Sequence, residues 1–410
     1  LHLSLRRQRQ MCIRDRKCTQ NSSCFVIGGF MNNCYLDTEA VITFFRMTGR
    51  KHIFITGSRG SGKSNLVNNM LKHMSDSFNL LQSHRTDTPQ VVIKSNLVAD
   101  NKEFVIGVPR TSGINPASKG NNMTIIEDGF INCAIPAIDT HLDTTPERLF
   151  VIDELGYLES SCIPFQKAVE KLLDNSHVLA VIRKQSTEFL NRICNRKDVL
   201  VIDIDNTFET LSCIIMASGM SKRFGSNKLI TDFNGRSLFE NAVSISHFAG
   251  FGETLAVTRH DEVVHICEDK NIHFLRHDMP YRNEMVRLGV TRILSDNASS
   301  GNLQPQGILF LPSDQPLITR TSLQLLCLTF LYYDDKICRL SYKENAGSPC
   351  IFPAKYYDEL LNLPEKKGGG FLTKKYPAQV VLVPVRDEYE LYDIDTCLLY
   401  TSPSPRDMRR

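Results

Sequence analysis

Two stretches of this chain set small, turn-forming residues beside isolated cations, an arrangement suited to a polyphosphate. In "GSRGSGKS", residues 57–64, Gly57, Gly60 and Gly62 let the backbone curl so that successive N–H groups face an anion, with Ser58, Arg59 and Ser61 between them. Lys63 is placed to reach the terminal phosphates and the Ser64 hydroxyl to ligate Mg²⁺. The second stretch, "MASGMSKRFGSNKL" at 216–229, lacks the Gly-Lys-Ser ending. There Ala217, Ser218 and Gly219 make a tight turn after an apolar run, and Arg223 and Lys228 stand five residues apart. That spacing suits a grip along a triphosphate that leaves its α-phosphorus open to attack.

Each loop has acidic company further along. "LFVIDELGYLE" delivers Asp153 and Glu154 to the end of an apolar strand, where Asp153 can hold the Mg²⁺ shell and Glu154 can orient or deprotonate a water. Arg183, just beyond "LAVI", is a candidate for the γ-phosphate or else a solvated strand end. "GILFLPSDQPLIT" carries Asp314 to another strand tip as a metal ligand, and "LYDIDT" brings Asp393 and Asp395, of which Asp395 is the candidate second ligand. "GSPCIFP" reads as a tight turn at Gly347 and Pro349, and "KKGGG" (366–370) as a flexible basic loop open to an anionic substrate. The histidines of "HDEVVHICEDKNIHFLRH" match no zinc spacing and read as ordinary surface and core residues.

The elements that must position these residues are legible as alternating strands and helices. Residues 1–50 are ill defined, although "DTEAVITFFRMTGR" reads as a short helix leading into the strand "KHIFITG". Strands "QVVIKSN", "EFVIGVP", "LFVIDE", "VLAVIRK" and "VLVIDID" follow, with helical runs such as "PFQKAVEKLLDN" between them, and "RTSGINPASKGNNM" reads as a polar loop, either mobile or substrate-covering. After the short joint "NTFET" the pattern restarts over 211–397. Both halves predict α/β domains on mostly parallel sheets covered on both faces. A length of 410 residues suits two domains. The net charge of +3 is too small to argue for a nucleic-acid or anionic-membrane partner, so neither is expected, and thirteen dispersed cysteines read as reduced thiols of a cytoplasmic protein. The two ends, "LHLSLRRQRQMCIRDR" and "LLYTSPSPRDMRR" (the latter within an unstructured tail at 398–410), resemble translated adapter read-through and are not expected to join the fold.

With both motifs in place, residues 51–205 resemble the small P-loop nucleoside-triphosphatase family, whose second motif is matched from Val151 to Glu159. The resemblance implies a three-layer α/β/α P-loop NTPase domain that hydrolyses nucleoside triphosphates with Mg²⁺. Residues 211–397 resemble the MobA-like nucleotidyltransferases, most of all molybdenum cofactor cytidylyltransferase. The matches are Ala217, Gly219, Ser221, Arg223, Phe224, Gly225, Lys228 and Leu229, then Asp314 to Pro316, Gly347 and Pro349, Lys367 and Gly368, and Asp393 to Thr396. Ser313 stands where the family has Gly, and Glu284 falls in the segment expected to meet an anionic pterin. This resemblance implies a Rossmann-like α/β/α nucleotidyltransferase domain moving CMP from CTP to a molybdopterin-type acceptor, with Arg223 and Lys228 in catalysis. A second reading makes the first half a nucleotide-switched delivery module for a molybdoenzyme client, beside a weak or inactive transferase half.

Overall fold

Five of the six residues of "HIFITG" are apolar or small and all six are buried, so β1 (His52–Gly57) has no solvent face and must run through the middle of a sheet. It does so in the computed structural model, which describes residues 36–74, 77–98, 100, 102–110, 123–219, 227–299, 301 and 303–394. The chain divides into two units, residues 45–205 in one and residues 36–44 with 206–394 in the other. Both chain ends, and most of the polar loop at 110–123, lie outside the described residues.

The first unit contains β2 (Phe78–Arg85), β3 (Val91–Ser95), β4 (Phe104–Pro109), β5 (Met123–Ile125), β6 (Leu149–Leu155), β7 (His177–Arg183) and β8 (Val199–Asp203). Their order is β5-β4-β3-β2-β6-β7-β1-β8. From β2 to β8 every pairing is parallel, as expected, but β2, β3, β4 and β5 form an antiparallel arm. The arm departs from a purely alternating plan because β2 and β3 are joined without a helix between them, and β2 buries only two of its eight residues. Helices α2 (Lys63–Met74), α3 (Ile135–Thr144), α4 (Ile163–Asn175) and α5 (Glu188–Cys194) contribute apolar faces such as Phe165, Val169, Leu172 and Phe189 to its core.

Helix α1 (Thr38–Thr48) forms where the sequence places one, yet its first half packs with the second unit. Asp37 caps it by accepting from the Ala40 N–H at 2.9 Å, while its own N–H donates to Gln324 Oε1 at 2.6 Å and Phe44 sets its ring against Tyr332.

The second unit is a seven-stranded sheet in the order β11-β10-β9-β12-β14-β13-β15. These strands are β9 (Leu211–Ala217), β10 (Glu253–Thr258), β11 (His273–Arg276), β12 (Gly307–Pro312), β13 (Ile337–Tyr342), β14 (Asn345–Pro353) and β15 (Val380–Pro384). Only β14 runs antiparallel to its neighbours. Its helices are α6 (Leu238–Ala249), α7 (Asp261–Asp269), α8 (Arg282–Ser299), α9 (Arg320–Tyr333), α10 (Tyr357–Leu361) and α11 (Gly370–Lys375). The expected turn at Gly347 and Pro349 is not there. Both residues lie inside β14, and the reversal falls at Lys343–Glu344, between the paired Tyr342 and Asn345. Gly347 serves packing instead, since a Cβ there would stand 3.0 Å from the Leu391 side chain.

His52 gives the first unit a pH dependence. Its ring is fully buried, Nδ1 accepts from the Val178 N–H at 3.2 Å, and Nε2 stands 3.5 Å from Asp198 Oδ2. Burial outweighs the pull of Asp198 and lowers the imidazole to about 4 from the ordinary 6.5. The unfolded chain therefore binds this proton more readily. Stability from this group is full above pH 6.5 and falls as pH drops toward 4, by up to about 3 kcal/mol. Urea unfolding followed across that window should show the decline, and a His52→Leu chain should show a flatter one. Equal slopes would remove His52 as the cause.

Candidate functional site

In the first unit the glycine-bearing segment leaves β1 at Gly57 and enters α2 at Lys63. Gly60 (φ +80°) and Gly62 (φ +93°) take left-handed backbone angles that a side chain would resist, which turns the loop back onto the helix start. Lys63 Nζ donates to the carbonyls of Gly57 and Ser58 at 2.8 and 2.7 Å, so the ammonium spans the loop's own mouth. The Ser61 hydroxyl is buried there with no hydrogen-bond partner, an orphan that an incoming oxygen would satisfy.

Asp153 and Glu154 end β6, two strands from β1. Gln82, the register partner of Asp153 on β2, donates to Asp153 Oδ2 at 3.3 Å, while burial raises the Asp153 carboxyl above its usual range. The pairing of β6 with β7 skips Glu154, because Asp153 faces Val181 and Leu155 faces Ile182. Glu154 Oε1 accepts from Arg183 Nε at 2.7 Å, an ion pair that leaves Arg183 40% exposed. Gly156 makes room for it, since a Cβ there would sit 2.8 Å from Arg183 Cδ. Beneath them Glu159 is buried, its Oε2 accepting from the Gly156 N–H at 2.8 Å and its Oε1 from the Ser83 hydroxyl at 3.2 Å. Burial raises its carboxyl, which favours the protonated form. Glu154, Glu159, Ser83, Tyr157 and Arg183 line a cavity of about 30 Å³, room for a water or two rather than for a base.

In the second unit β9 and β12 run side by side in parallel, with Pro312 opposite Met216, so both chains leave the sheet together. Ser313, standing where a Gly was expected, donates its hydroxyl to the Met216 carbonyl at 2.8 Å and ties the two tips. Lys228 returns to this edge almost wholly buried, donating to Asp314 Oδ2 at 2.8 Å and to the Ile394 carbonyl at 2.9 Å. Gln315 Nε2 donates to Asp393 Oδ1 at 2.7 Å and to the Leu391 carbonyl at 3.2 Å, and the Ile394 N–H donates to the Asp314 carbonyl. Loop, strand tip and C-terminal segment thus meet at one point.

Ala217, Ser218 and Gly219 lie beside it, held by two histidines that the sequence reading left as ordinary. His277 Nδ1 accepts from the Met279 N–H, so its Nε2–H donates to Ser218 Oγ at 2.7 Å, and that hydroxyl donates to the Val257 carbonyl at 2.9 Å. Burial, ahead of the nearby Arg259, pushes His277 down and keeps it neutral. His260 Nε2 donates to the Gly219 carbonyl at 2.9 Å. Neither histidine has a motif spacing; only the end of a strand in front of each hinted at a role.

Other expectations fare variously. Arg223, Ser221, Phe224, Gly225, Asp395 and Thr396 lie outside the described residues. Glu284 folds back to accept from the Tyr281 N–H at 3.1 Å, so its charge is spent at the start of α8. The 366–370 stretch is tied rather than loose: the Lys366 N–H donates to Asn283 Oδ1, Lys366 Nζ lies over the Tyr281 ring, and Gly370 opens α11. Among the described residues the eight cysteines form no disulfide, and no helix is long and apolar enough to cross a membrane.

The two units carry two different likenesses. Residues 52–211 match the family model described as NTPase, and residues 213–380 match the MobA-like NTP transferase domain. The nucleoside-triphosphatase THEP1 of a Thermotoga species is 26% identical over 155 residues, which is 37% of this chain and 86% of that protein. Among solved structures, THEP1 from Aquifex aeolicus has a TM-score of 0.31 at 18% identity, covering 37% of this chain and 89% of its own. A nucleotidyl transferase from Methanothermobacter has a TM-score of 0.40 at 19% identity, covering 48% and 98%.

Proposed function

We propose that the chain is a nucleotide enzyme with two activities, hydrolysis of nucleoside triphosphates in the first unit and nucleotidyl transfer with pyrophosphate release in the second. The observation that carries the reading is the meeting of Lys228 and Asp314 at 2.8 Å, because it joins a glycine-bearing loop to an acidic strand tip 86 residues away. The family likenesses support it. CTP and a molybdopterin-type acceptor are the substrates we propose, on the cytidylyl-like form of the 217–229 loop.

The residues at both tips fit Mg²⁺. The Ser64 hydroxyl and the Asp153 carboxylate in one unit, and Asp314 in the other, are hard oxygen donors, and a cation would offset the burial that raises the Asp153 carboxyl. When bound, Mg²⁺ would neutralise charge on the phosphoryl oxygens.

In the first unit Lys63 gives up the Gly57 and Ser58 carbonyls to a triphosphate, the loop's N–H groups hold it, and Glu154 takes the proton of a water seated in the small cavity. In the second unit the acceptor phosphate is already ionised, so no base is required. Lys228 balances the charge that develops at the α-phosphorus while Ser218 and Gly219 shape the turn. The test measures phosphate and pyrophosphate separately from four nucleotides, with and without molybdopterin and with Mg²⁺ or chelator. The reading expects phosphate without an acceptor and pyrophosphate from CTP only with one. Pyrophosphate that ignores the acceptor, or no product at all, would refute it.

A further inference from the structure

We infer that Asp205 and Lys184 form the anchor of the phosphate loop in the first unit, Asp205 setting the loop's first turn and Lys184 supplying the charge that lets a carboxylate stand beside an anionic ligand. The inference rests on the hydrolase reading of that unit. Neither residue belongs to a recognised motif.

Strand β1 runs between β7 and β8, with Gly57 opposite Arg183 and Thr56 opposite Asp203. The residues that follow these three strand ends therefore emerge together. Asp205 Oδ2 accepts from the Ser58 N–H at 2.7 Å and Oδ1 from the Ser58 hydroxyl at 3.0 Å, so one carboxylate holds both donors of the loop's second residue. Lys184 Nζ lies between Asp203 Oδ2 at 2.8 Å and Asp205 Oδ2 at 3.1 Å. The fit is close: a Cβ on Gly57 would stand 2.8 Å from Ile204 Cγ1 and from Ser61 Oγ, and 3.1 Å from Asp205 Oδ1. Burial works against charge on Asp205, yet the bonds from Lys184 and Ser58 hold its carboxyl below the usual range.

A fixed carboxylate at the rim of a phosphate site repels the ligand unless a cation cancels it. Lys184 does so without a place in the reaction, so its loss should weaken nucleotide binding and spare the chemical step. Phosphate release from MgATP by the full chain is the measurement. Lys184→Met, which keeps the apolar stem, should raise KM about ten-fold with kcat within about two-fold of the parent. Adding Asp205→Asn should return KM to within about three-fold, because the amide oxygen still accepts from Ser58 while the charge is gone. A KM unmoved by Lys184→Met overturns the inference, as does a double variant no better than the single, which would mean that Lys184 grips phosphate itself. Melting temperatures of the variants separate a folding defect: a KM that follows the melting temperature across the three chains also overturns it. Lys63→Ala serves as control. Hydrolysis that survives Lys63→Ala defeats the hydrolase reading, whereas a dead Lys63 variant beside an indifferent Lys184 variant defeats the anchor alone.

Discussion

Glu154→Gln is expected to slow phosphate release by about 10³-fold while leaving the KM for MgATP within a few-fold of the parent. The substitution changes little in shape. The amide oxygen can still accept from Arg183 Nε, and the side chain keeps its place beside the cavity of about 30 Å³. What it removes is the basic lone pair, and general-base catalysis by a positioned carboxylate contributes about 10²–10⁴-fold. Two neighbours could take over in principle, and neither is suited. Glu159 has both oxygens committed, to Gly156 and Ser83, and burial favours its protonated form. Asp153 is bonded to Gln82 and is the residue we propose to hold Mg²⁺. Phosphate release by the Gln variant at more than a tenth of the parent rate would take the base role away from Glu154. A matched loss of nucleotide binding would instead assign the residue to the ground state.

How far the sequence foretold this arrangement depends on whether a residue announces itself by spacing or by neighbourhood. The tight turn at Gly60 and Gly62 was legible because only glycine takes those backbone angles readily, and the place of Asp153 because four apolar residues carry it to a strand end. The two α/β units were legible from the alternation of buried strands and amphipathic helices. The antiparallel arm was not, since β2 is polar at most positions and carries no clear strand pattern. Asp205 escaped notice for another reason. It sits 147 residues from Ser58, and only the parallel register of β1 with β7 and β8 brings them together. His260 and His277 are of the same kind, tied to Gly219 and Ser218 across 41 and 59 residues. Gly347 and Pro349 misled in the opposite direction: residues that usually mark a turn here lie inside β14, where Gly347 leaves room for Leu391.

Lys228→Met is expected to lower pyrophosphate release by at least about 10²-fold and to leave phosphate release by the first unit unchanged. The Lys228 side chain is only 8% exposed, so its methylene stem is packed and Met replaces it without a large void. The ammonium is lost from Asp314 Oδ2 and from the Ile394 carbonyl together. Asp314, 26% exposed, retains water on one side, which limits the destabilisation to about 2 kcal/mol. The same pair makes a double variant informative. Asp314→Asn removes the stranded carboxylate, so Lys228→Met with Asp314→Asn should regain part of the lost stability, because no uncompensated charge remains. Its rate should be no lower than that of the worse single variant, because two groups that act as a unit on one triphosphate lose their effect together. Rates that multiply instead would place Lys228 and Asp314 on separate tasks. Undiminished pyrophosphate release from Lys228→Met would remove the transferase assignment altogether and leave the second unit as a nucleotide-binding domain.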